Sequence, residues 1–149
     1  MKKFLGISFI IFFVDRISKI LVQNFISDKV YVIKNFFYLI YTRNIGAAFS
    51  MLEGKQIIFV LIGIIASIII FLYVRKNNIK NIGYPLLLGG ILGNVLDRVI
   101  YGYVIDFIGF EIFNKSMPIF NIADTAIVIG AIIIIVGSEK NEISSRNWW

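Results

Sequence analysis

The sequence predicts an all-α membrane protein with four transmembrane helices, a small extracytoplasmic β-cradle and a short periplasmic helix. Hydrophobic residues make up 58% of its 149 residues, and the mean hydropathy of +0.85 is far above that of soluble globular domains. Four segments approach the roughly 20 apolar residues that cross a hydrocarbon layer about 30 Å thick. The length suits one domain, so we expect residues 1–149 to form a single integral-membrane unit.

The predicted spans are residues 4–25, 56–74, 82–101 and 118–137. The second is the most apolar, with no charged residue from Gln56 to Val74. The first follows Lys2 and Lys3, as the apolar part of a signal peptide would, but it lacks a small-residue cleavage site. We therefore interpret it as a retained helix.

The distribution of cations predicts the orientation. Seven cations fall in short segments on one side of the predicted spans: Lys2, Lys3, Arg75, Lys76, Lys80, Lys140 and Arg146. Short loops rich in Lys and Arg face the cytoplasm, so both termini are expected there. The net charge of +6 is accordingly attributed to orientation, and no nucleic-acid partner is expected.

The loop between the first two spans has structure of its own. Val30–Ile33 and Phe36–Thr42 are rich in β-branched and aromatic residues, which predicts two short strands. The small-residue stretch from Asn44 to Ser50 predicts a turn that opens a short helix through Leu52. A loop this apolar is expected to lie on the bilayer surface.

Polar residues of three spans fall in the outer third of the membrane when depth is counted at about 1.5 Å per residue. They are Asp15, Lys19, Asn94, Asp97, Arg98, Asn121 and Asp124, and Asp106 lies just beyond the third span. Within each span their spacing of three or four residues places them on one helical face. Because charges facing lipid are costly, these faces are expected to meet in a shared pocket that opens outward.

A structural interpretation remains open for each set. Asp15–Lys19 predicts an ion pair, Asp97 beside Arg98 predicts a charge pair that locks helices together, and buried asparagines commonly hydrogen-bond across helices. Gly89, Gly90 and Gly93 suit close helix packing.

Asp106 and Asp124 differ because no basic residue lies within seven positions of either. Two carboxyls that share one proton can act as general base and general acid on water and a peptide bond. The chain has no Cys and no His, which excludes thiol nucleophiles, zinc sites of the Cys/His kind and Ser-His-Asp triads. Spacing alone leaves a catalytic pair and a structural role both open.

Five blocks in order resemble one family, the bacterial lipoprotein signal peptidases (signal peptidase II), which are membrane aspartyl endopeptidases. The blocks are Asp15-Arg-Ile-Ser-Lys19, Asn44-Ile-Gly-Ala-Ala-Phe49, Gly89-Gly-Ile-Leu-Gly-Asn-Val-Leu-Asp-Arg98, Val104-Ile-Asp-Phe107 and Phe120-Asn-Ile-Ala-Asp124. Two positions depart from the family pattern. Arg16 stands where many members have Gln, which adds a charge to a membrane face, and Met117 replaces an aromatic residue often seen before the proline.

The resemblance implies a catalytic dyad of Asp106 and Asp124, without cofactor or metal. It also implies residues that line or brace the active site (Asn44, Asn94, Arg98 and Asn121) and residues that support it (Asp15, Lys19 and Asp97). The implied substrates are prolipoproteins with a diacylglyceryl-modified Cys, cut just before that Cys. The implied location is the bacterial cytoplasmic (inner) membrane, with the site toward the outer leaflet and in contact with lipid. A pocket completed within four helices requires only a monomer.

Three rival functions were weighed. A transporter of ions or solutes requires a polar path through the membrane, whereas the inner halves of the spans are almost wholly apolar. Another kind of peptidase would use a serine nucleophile, either Ser18 beside Lys19 or Ser50, with a lysine as the base. Adjacent helical residues point about 100° apart, which disfavours the Ser18–Lys19 pair. A non-enzymatic membrane subunit would need a partner motif, and none is evident.

Overall fold

The computed structural model describes residues 1–46, 55–113 and 115–145, with side chains described up to residue 137. The elements in chain order are α1 (Lys2–Phe25), β1 (Val30–Ile33), β2 (Phe37–Asn44), α2 (Gln56–Asn77), α3 (Gly83–Tyr101), β3 (Val104–Ile112), β4 (Lys115–Ser116) and α4 (Ile122–Ser145). The fold is therefore helical with a small antiparallel sheet. The predicted short helix through Leu52, the candidate nucleophile Ser50 and the C-terminal Trp148–Trp149 lie outside the described residues.

Each predicted span contains a helix, but the start of the fourth was wrong by four residues. Pro118 to Asn121 precede α4 in a non-helical conformation, and Phe120 exchanges backbone hydrogen bonds with Ile108 of β3 at 2.8 and 3.0 Å. Of the described helices, α2 alone is long and apolar enough to cross a membrane by length and composition.

Helix α3 is central because its small residues let two other helices come close. A Cβ atom on Gly90 would lie 2.5 Å from the backbone oxygen of Ala123 in α4. A Cβ atom on Gly93 would lie 2.6 Å from Oδ2 of Asp15 in α1. The packing interpretation of these glycines is confirmed, and the close approach brings polar side chains of three helices within bonding distance.

The sheet is larger than the sequence predicted. Strands β1 and β2 match the two predicted strands closely, whereas β3 and β4 were not predicted. The strand order is β1-β2-β3-β4, all antiparallel, with Thr42 opposite Asp106 and Asn44 opposite Val104. Helix α3 ends at Gly102, whose φ of 75° reverses the chain into β3. This turn places β3 directly above the polar ends of α1, α3 and α4.

Candidate active site

Asp106 lies on β3, so it is carried by a strand and not by an extension of the third helix. The residue is only 3% exposed, and its carboxyl accepts two side-chain amide hydrogen bonds. Asn121 Nδ2 donates to Oδ1 at 2.7 Å, and Asn44 Nδ2, from the end of β2, donates to Oδ2 at 2.9 Å. Thr42 Oγ1 also donates to the Asp106 backbone oxygen at 2.8 Å, which fixes the strand at this position.

Asp124 lies in the first turn of α4, where it forms a reciprocal cap with Asn121. The Asp124 backbone N–H donates to Asn121 Oδ1 at 2.8 Å, and the Asn121 N–H donates to Asp124 Oδ2 at 3.2 Å. This arrangement resembles a capping box, in which two backbone N–H groups at the N-terminus of a helix are bound by reciprocal side-chain acceptors. Asn94 Nδ2 of α3 donates to the other oxygen, Oδ1, at 2.7 Å.

The asparagine orientations follow from their neighbours, because amide nitrogen and oxygen atoms are distinguished by the groups they meet. Lys19 Nζ can only donate, and it lies 3.0 Å from Asn94 Oδ1, so Asn94 Nδ2 must face Asp124. The Asp124 N–H likewise holds Asn121 Oδ1, so Asn121 Nδ2 faces Asp106. Both carboxyls therefore receive neutral amide donors, and the orientation of each amide is fixed by a donor that contacts its oxygen atom.

A fully buried ion cluster beneath the asparagines holds the backbone beside each carboxyl. Lys19 Nζ lies 2.8 Å from Asp15 Oδ2 and 2.9 Å from Asp97 Oδ2. Asp15 Oδ1 accepts the N–H of Ala123, the residue before Asp124, at 2.9 Å. Asp97 Oδ2 accepts the N–H of Ile105, the residue before Asp106, at 3.1 Å. The predicted Asp15–Lys19 ion pair is confirmed, and Lys19 also pairs with Asp97 of α3.

Arg16 belongs to this cluster, which corrects two predictions. Its Nη1 lies 2.9 Å from Asp97 Oδ1, and Nη2 donates to the Tyr101 hydroxyl. The side chain is 18% exposed, so its charge is largely covered and does not face the surrounding membrane as expected. The predicted pair between Asp97 and its neighbour Arg98 was wrong, because Asp97 binds Lys19 and Arg16 instead.

Arg98 instead turns to the cavity side of α3. Its Nη1 donates to the Asn94 backbone oxygen at 3.3 Å, and Nη2 donates to the Gly46 oxygen at 3.4 Å. The guanidinium carbon lies 5.0 Å from the centre of the Phe59 ring. Arg98 Nε is buried and has no hydrogen-bond partner among the described residues, so the guanidinium retains donor capacity beside the cavity.

A cavity of about 370 Å³ joins these groups. It is lined by Asn44, Gly46, Asn94, Arg98, Val104, Asp106, Pro118, Ile119, Phe120 and Asp124. Sequence reasoning did not single out the cavity's other wall, Pro118 to Phe120 with Gly46 and Val104, since their uncharged side chains carry no chemical signal. Asn121 lies beneath the cavity, whereas Asp15, Lys19 and Asp97 act from behind it.

Burial, together with the nearby Asp124 carboxylate, raises the pKa of the Asp106 carboxyl to about 6. The hydrogen bonds from Asn44 and Asn121 oppose this shift without cancelling it. A carboxyl with this pKa can hold or release a proton near neutral pH. In residues 1–46, 55–113 and 115–145, no three carboxyls come together as a set of metal ligands.

The rival nucleophile Ser18 is not part of this site. Its Oγ donates to the Val14 backbone oxygen at 2.8 Å on an exposed surface, while Lys19 is buried with Asp15 and Asp97. The two side chains therefore do not form a Ser–Lys pair.

Comparison with known proteins reveals similarity over nearly the whole chain. A family model described as signal peptidase (SPase) II matches residues 7–139. The lipoprotein signal peptidase of Caldanaerobacter subterraneus subsp. tengcongensis is 39% identical over 133 residues, covering 86% of this chain and 89% of that protein. The lipoprotein signal peptidase of Histophilus somni is 40% identical over 146 residues, with coverages of 92% and 88%.

Two solved structures, both described as bacterial membrane enzymes determined by the in meso method, share the fold. One, at 2.3 Å resolution, matches with a TM-score of 0.89 and 34% identity, covering 100% of this chain and 94% of that chain. The other, at 1.9 Å resolution, has a TM-score of 0.82 and 36% identity, covering 92% of each chain. Sequence and fold similarity thus extend through the helices, the sheet and the cavity between them.

Proposed function

The chain belongs to the signal peptidase II family, and we propose that Asp106 and Asp124 perform its hydrolytic chemistry. The activity is that of a lipoprotein signal peptidase, an aspartic endopeptidase acting on prolipoproteins. One observation carries the assignment of residues: both carboxyls line the same cavity, and their side-chain hydrogen bonds within the described part of the chain come from neutral amides or backbone N–H groups. A pair held in this way is free to share a proton.

The proposed mechanism starts with one proton on the pair. Asp106 carries it, because burial raises its pKa to about 6. Asp124 acts as the general base, and it accepts the Asn121 N–H in the first turn of α4, where the positive end of the helix dipole favours negative charge.

The bond changes follow from these protonation states. Asp124 takes a proton from water, whose oxygen attacks the scissile carbonyl carbon, while Asp106 donates its proton to the carbonyl oxygen. Collapse of the tetrahedral intermediate breaks the C–N bond and returns that proton to Asp106. The proton gained by Asp124 passes to the leaving amine nitrogen. Arg98 and Asn44 at the cavity wall are placed to donate hydrogen bonds to the substrate backbone.

The substrate is a prolipoprotein that carries diacylglycerol on the Cys following the cleaved bond. We propose that all four helices cross the bacterial cytoplasmic membrane, that both termini are cytoplasmic and that the site opens toward the outer leaflet. The seven cations of the short segments and the apolar surface of α2 support this arrangement. The lipid tails of the substrate then stay in the bilayer while the scissile bond enters the cavity. The proposed unit is a monomer spanning residues 1–149, because all the cavity residues belong to one chain.

The test is cleavage of a synthetic lipobox peptide by the purified protein. A diacylglyceryl-modified peptide should be cut before its modified Cys, and the same peptide without lipid should not. Cleavage of both peptides, or of neither, would contradict the proposed substrate requirement. Retained turnover in an Asp124→Asn variant would contradict the proposed dyad while leaving the family assignment intact.

A further inference from the structure

The end of the helix bundle opposite the carboxyl cavity contains a second, basic cavity. It lies between the start of α1 and the connection from α2 to α3, and its volume is about 710 Å³. Its polar lining comes from Lys2, Lys3, Asn78, Lys80 and Asn81, and its apolar base includes Phe4, Ile7 and Pro85. Lys3 and Lys19 are separated by about 24 Å along α1, so this cavity is remote from the hydrolytic site.

The charges around this cavity are unbalanced. Lys2, Lys3 and Lys80 are exposed, and none of them forms an ion pair or a side-chain hydrogen bond with another described residue. Among the residues whose side chains the structure describes, no Asp or Glu lines the cavity. Three like charges around one concave surface attract an anion, which would relieve their mutual repulsion.

The loop that carries Lys80 is fixed by its own hydrogen bonds. Helix α2 ends at Asn78, with φ of 50°, and the Ile79 N–H donates to the Val74 oxygen at 3.2 Å. Asn81 Oδ1 accepts the Gly83 N–H at 2.8 Å, and its Nδ2 donates to the Ile133 oxygen of α4 at 3.3 Å. The basic cavity is therefore preformed and does not depend on an anion to order the loop.

A separate apolar groove lies between the same two helices, α1 and α3, and shares no lining residue with the basic cavity. Its volume is about 560 Å³, and its lining includes Leu5, Phe9, Phe12, Leu88 and Leu92. Leu5 and Phe9 are exposed, with 48% and 63% of their surface accessible, so the groove is open at the side of the bundle. A cationic cavity followed by an open apolar groove matches an amphiphile with an anionic head and a hydrocarbon tail.

We propose that this end of the protein binds an anionic membrane phospholipid. Lys2, Lys3 and Lys80 contact the phosphate headgroup, Asn78 and Asn81 offer amide donors, and one acyl chain lies in the α1–α3 groove. Basic pockets at the cytoplasmic ends of transmembrane helices favour such headgroups. The groove favours a lipid over a soluble phosphate, which would use the lysines alone.

The experiment measures displacement of a fluorescent phosphatidylglycerol from the full-length protein in neutral-detergent micelles. Unlabelled phosphatidylglycerol should compete, whereas phosphatidylcholine and soluble glycerol phosphate at the same concentration should not. A Lys3→Gln/Lys80→Gln variant should bind about 25-fold more weakly, at about fivefold for each lysine removed. An Arg75→Gln/Lys76→Gln variant is the matched control, because it removes the same charge from exposed residues at the end of α2, outside the cavity.

The outcomes distinguish a specific lipid-binding site from nonspecific electrostatic attraction. An equal loss of affinity in both double variants would overturn the proposal, because it would show diffuse electrostatics only. Equal competition by glycerol phosphate, or by phosphatidylcholine, would also overturn it. Continued cleavage of the lipidated peptide by the Lys3→Gln/Lys80→Gln variant will show that the variant is folded, since the hydrolytic cavity is at the other end.

Discussion

Two pairs of carboxyls lie at the end of the bundle that carries the β-sheet, and they differ in what is placed between them. Asp15 and Asp97 both contact Lys19, a cation within 2.8 and 2.9 Å. Asp106 and Asp124 receive hydrogen bonds from asparagine amides and a backbone N–H instead. A buried cation between two carboxyls pairs with both and holds helices together, whereas neutral donors leave a proton to be shared. The comparison teaches that the chemistry is set by the neighbours of the carboxyls and not by the carboxyls alone.

The largest expected effect comes from removing a proton-sharing carboxyl. Asp106→Asn and Asp124→Asn should each lower kcat by more than about 10³-fold, because general acid–base catalysis is worth up to about 10⁴-fold. Both variants should remain folded, since an amide retains a hydrogen-bonding group of the same size. The measurement is the cleavage rate of the lipidated peptide, together with thermal unfolding. Asp28→Asn, at an exposed carboxyl outside the cavity, is the matched control and should cleave at the wild-type rate.

Disrupting the pair Asp15 and Asp97, which shares Lys19, should lower the stability of the protein. Lys19→Met leaves two buried carboxyls facing each other without their shared cation, which should cost about 3–5 kcal/mol of unfolding free energy. The measurement is equilibrium unfolding in detergent micelles. Lys34→Met, at an exposed lysine, is the control.

A compensating variant sharpens this prediction. Asp15→Asn/Lys19→Met/Asp97→Asn removes the charges together and should recover part of the lost stability. A triple variant that is less stable than Lys19→Met would show that the ion cluster does not act through charge pairing.

The activity that depends on Asp106 and Asp124 should change with pH. Activity requires one proton on the pair, and that proton is lost as pH rises through the Asp106 pKa of about 6. The peptidase kcat/KM should therefore fall about tenfold per pH unit above this value. Because the folded-state pKa lies above the ordinary value of 3.8, the stability contributed by Asp106 is full below pH 3.8 and is lost as pH rises through about 6. A kcat/KM that rises through pH 6 to 8 would oppose the assignment of Asp106 as proton donor.

Arg16 should give the smallest effect, because Asp97 keeps Lys19 when Arg16 is replaced. Arg16→Gln should lower the unfolding free energy by about 1 kcal/mol and the cleavage rate by less than about fivefold, since the side chain is partly exposed. The measurements are equilibrium unfolding in detergent micelles and the cleavage rate of the lipidated peptide. A loss as large as that of Lys19→Met would place Arg16, and not Lys19, at the centre of the cluster.

Most of the fold could be predicted because its elements are encoded locally. The helices follow from apolar runs, and β1 and β2 follow from their β-branched and aromatic residues. The third span was predicted to end at residue 101, as α3 does, but strand β3 beyond it was not predicted. Its strand structure depends on pairing with β2, a contact between distant residues. The start of α4 was missed for the same reason, since Phe120 is held by Ile108.

The sequence predicts which polar side chains come together, but it does not predict the contacts between helices that join them. Spacing of three and four residues grouped the polar side chains correctly, and depth placed Lys19 level with Asn94 and Asp97, which it contacts at 3.0 and 2.9 Å. The Asp15–Lys19 pair within α1 could be predicted from its spacing, whereas the ion pairs between helices could not, because they depend on how the helices are rotated. Arg16 therefore replaced Arg98 as a partner of Asp97.

The most direct test of the central claim is an infrared titration of protonated carboxyl groups in the purified protein. The account predicts a protonated-carboxyl band that disappears as pH rises through about 6, is absent from Asp106→Asn and persists in Asp15→Asn. A band that is unchanged in Asp106→Asn, or lost in Asp15→Asn, would show that the shared proton belongs elsewhere and would contradict the proposed hydrolytic pair.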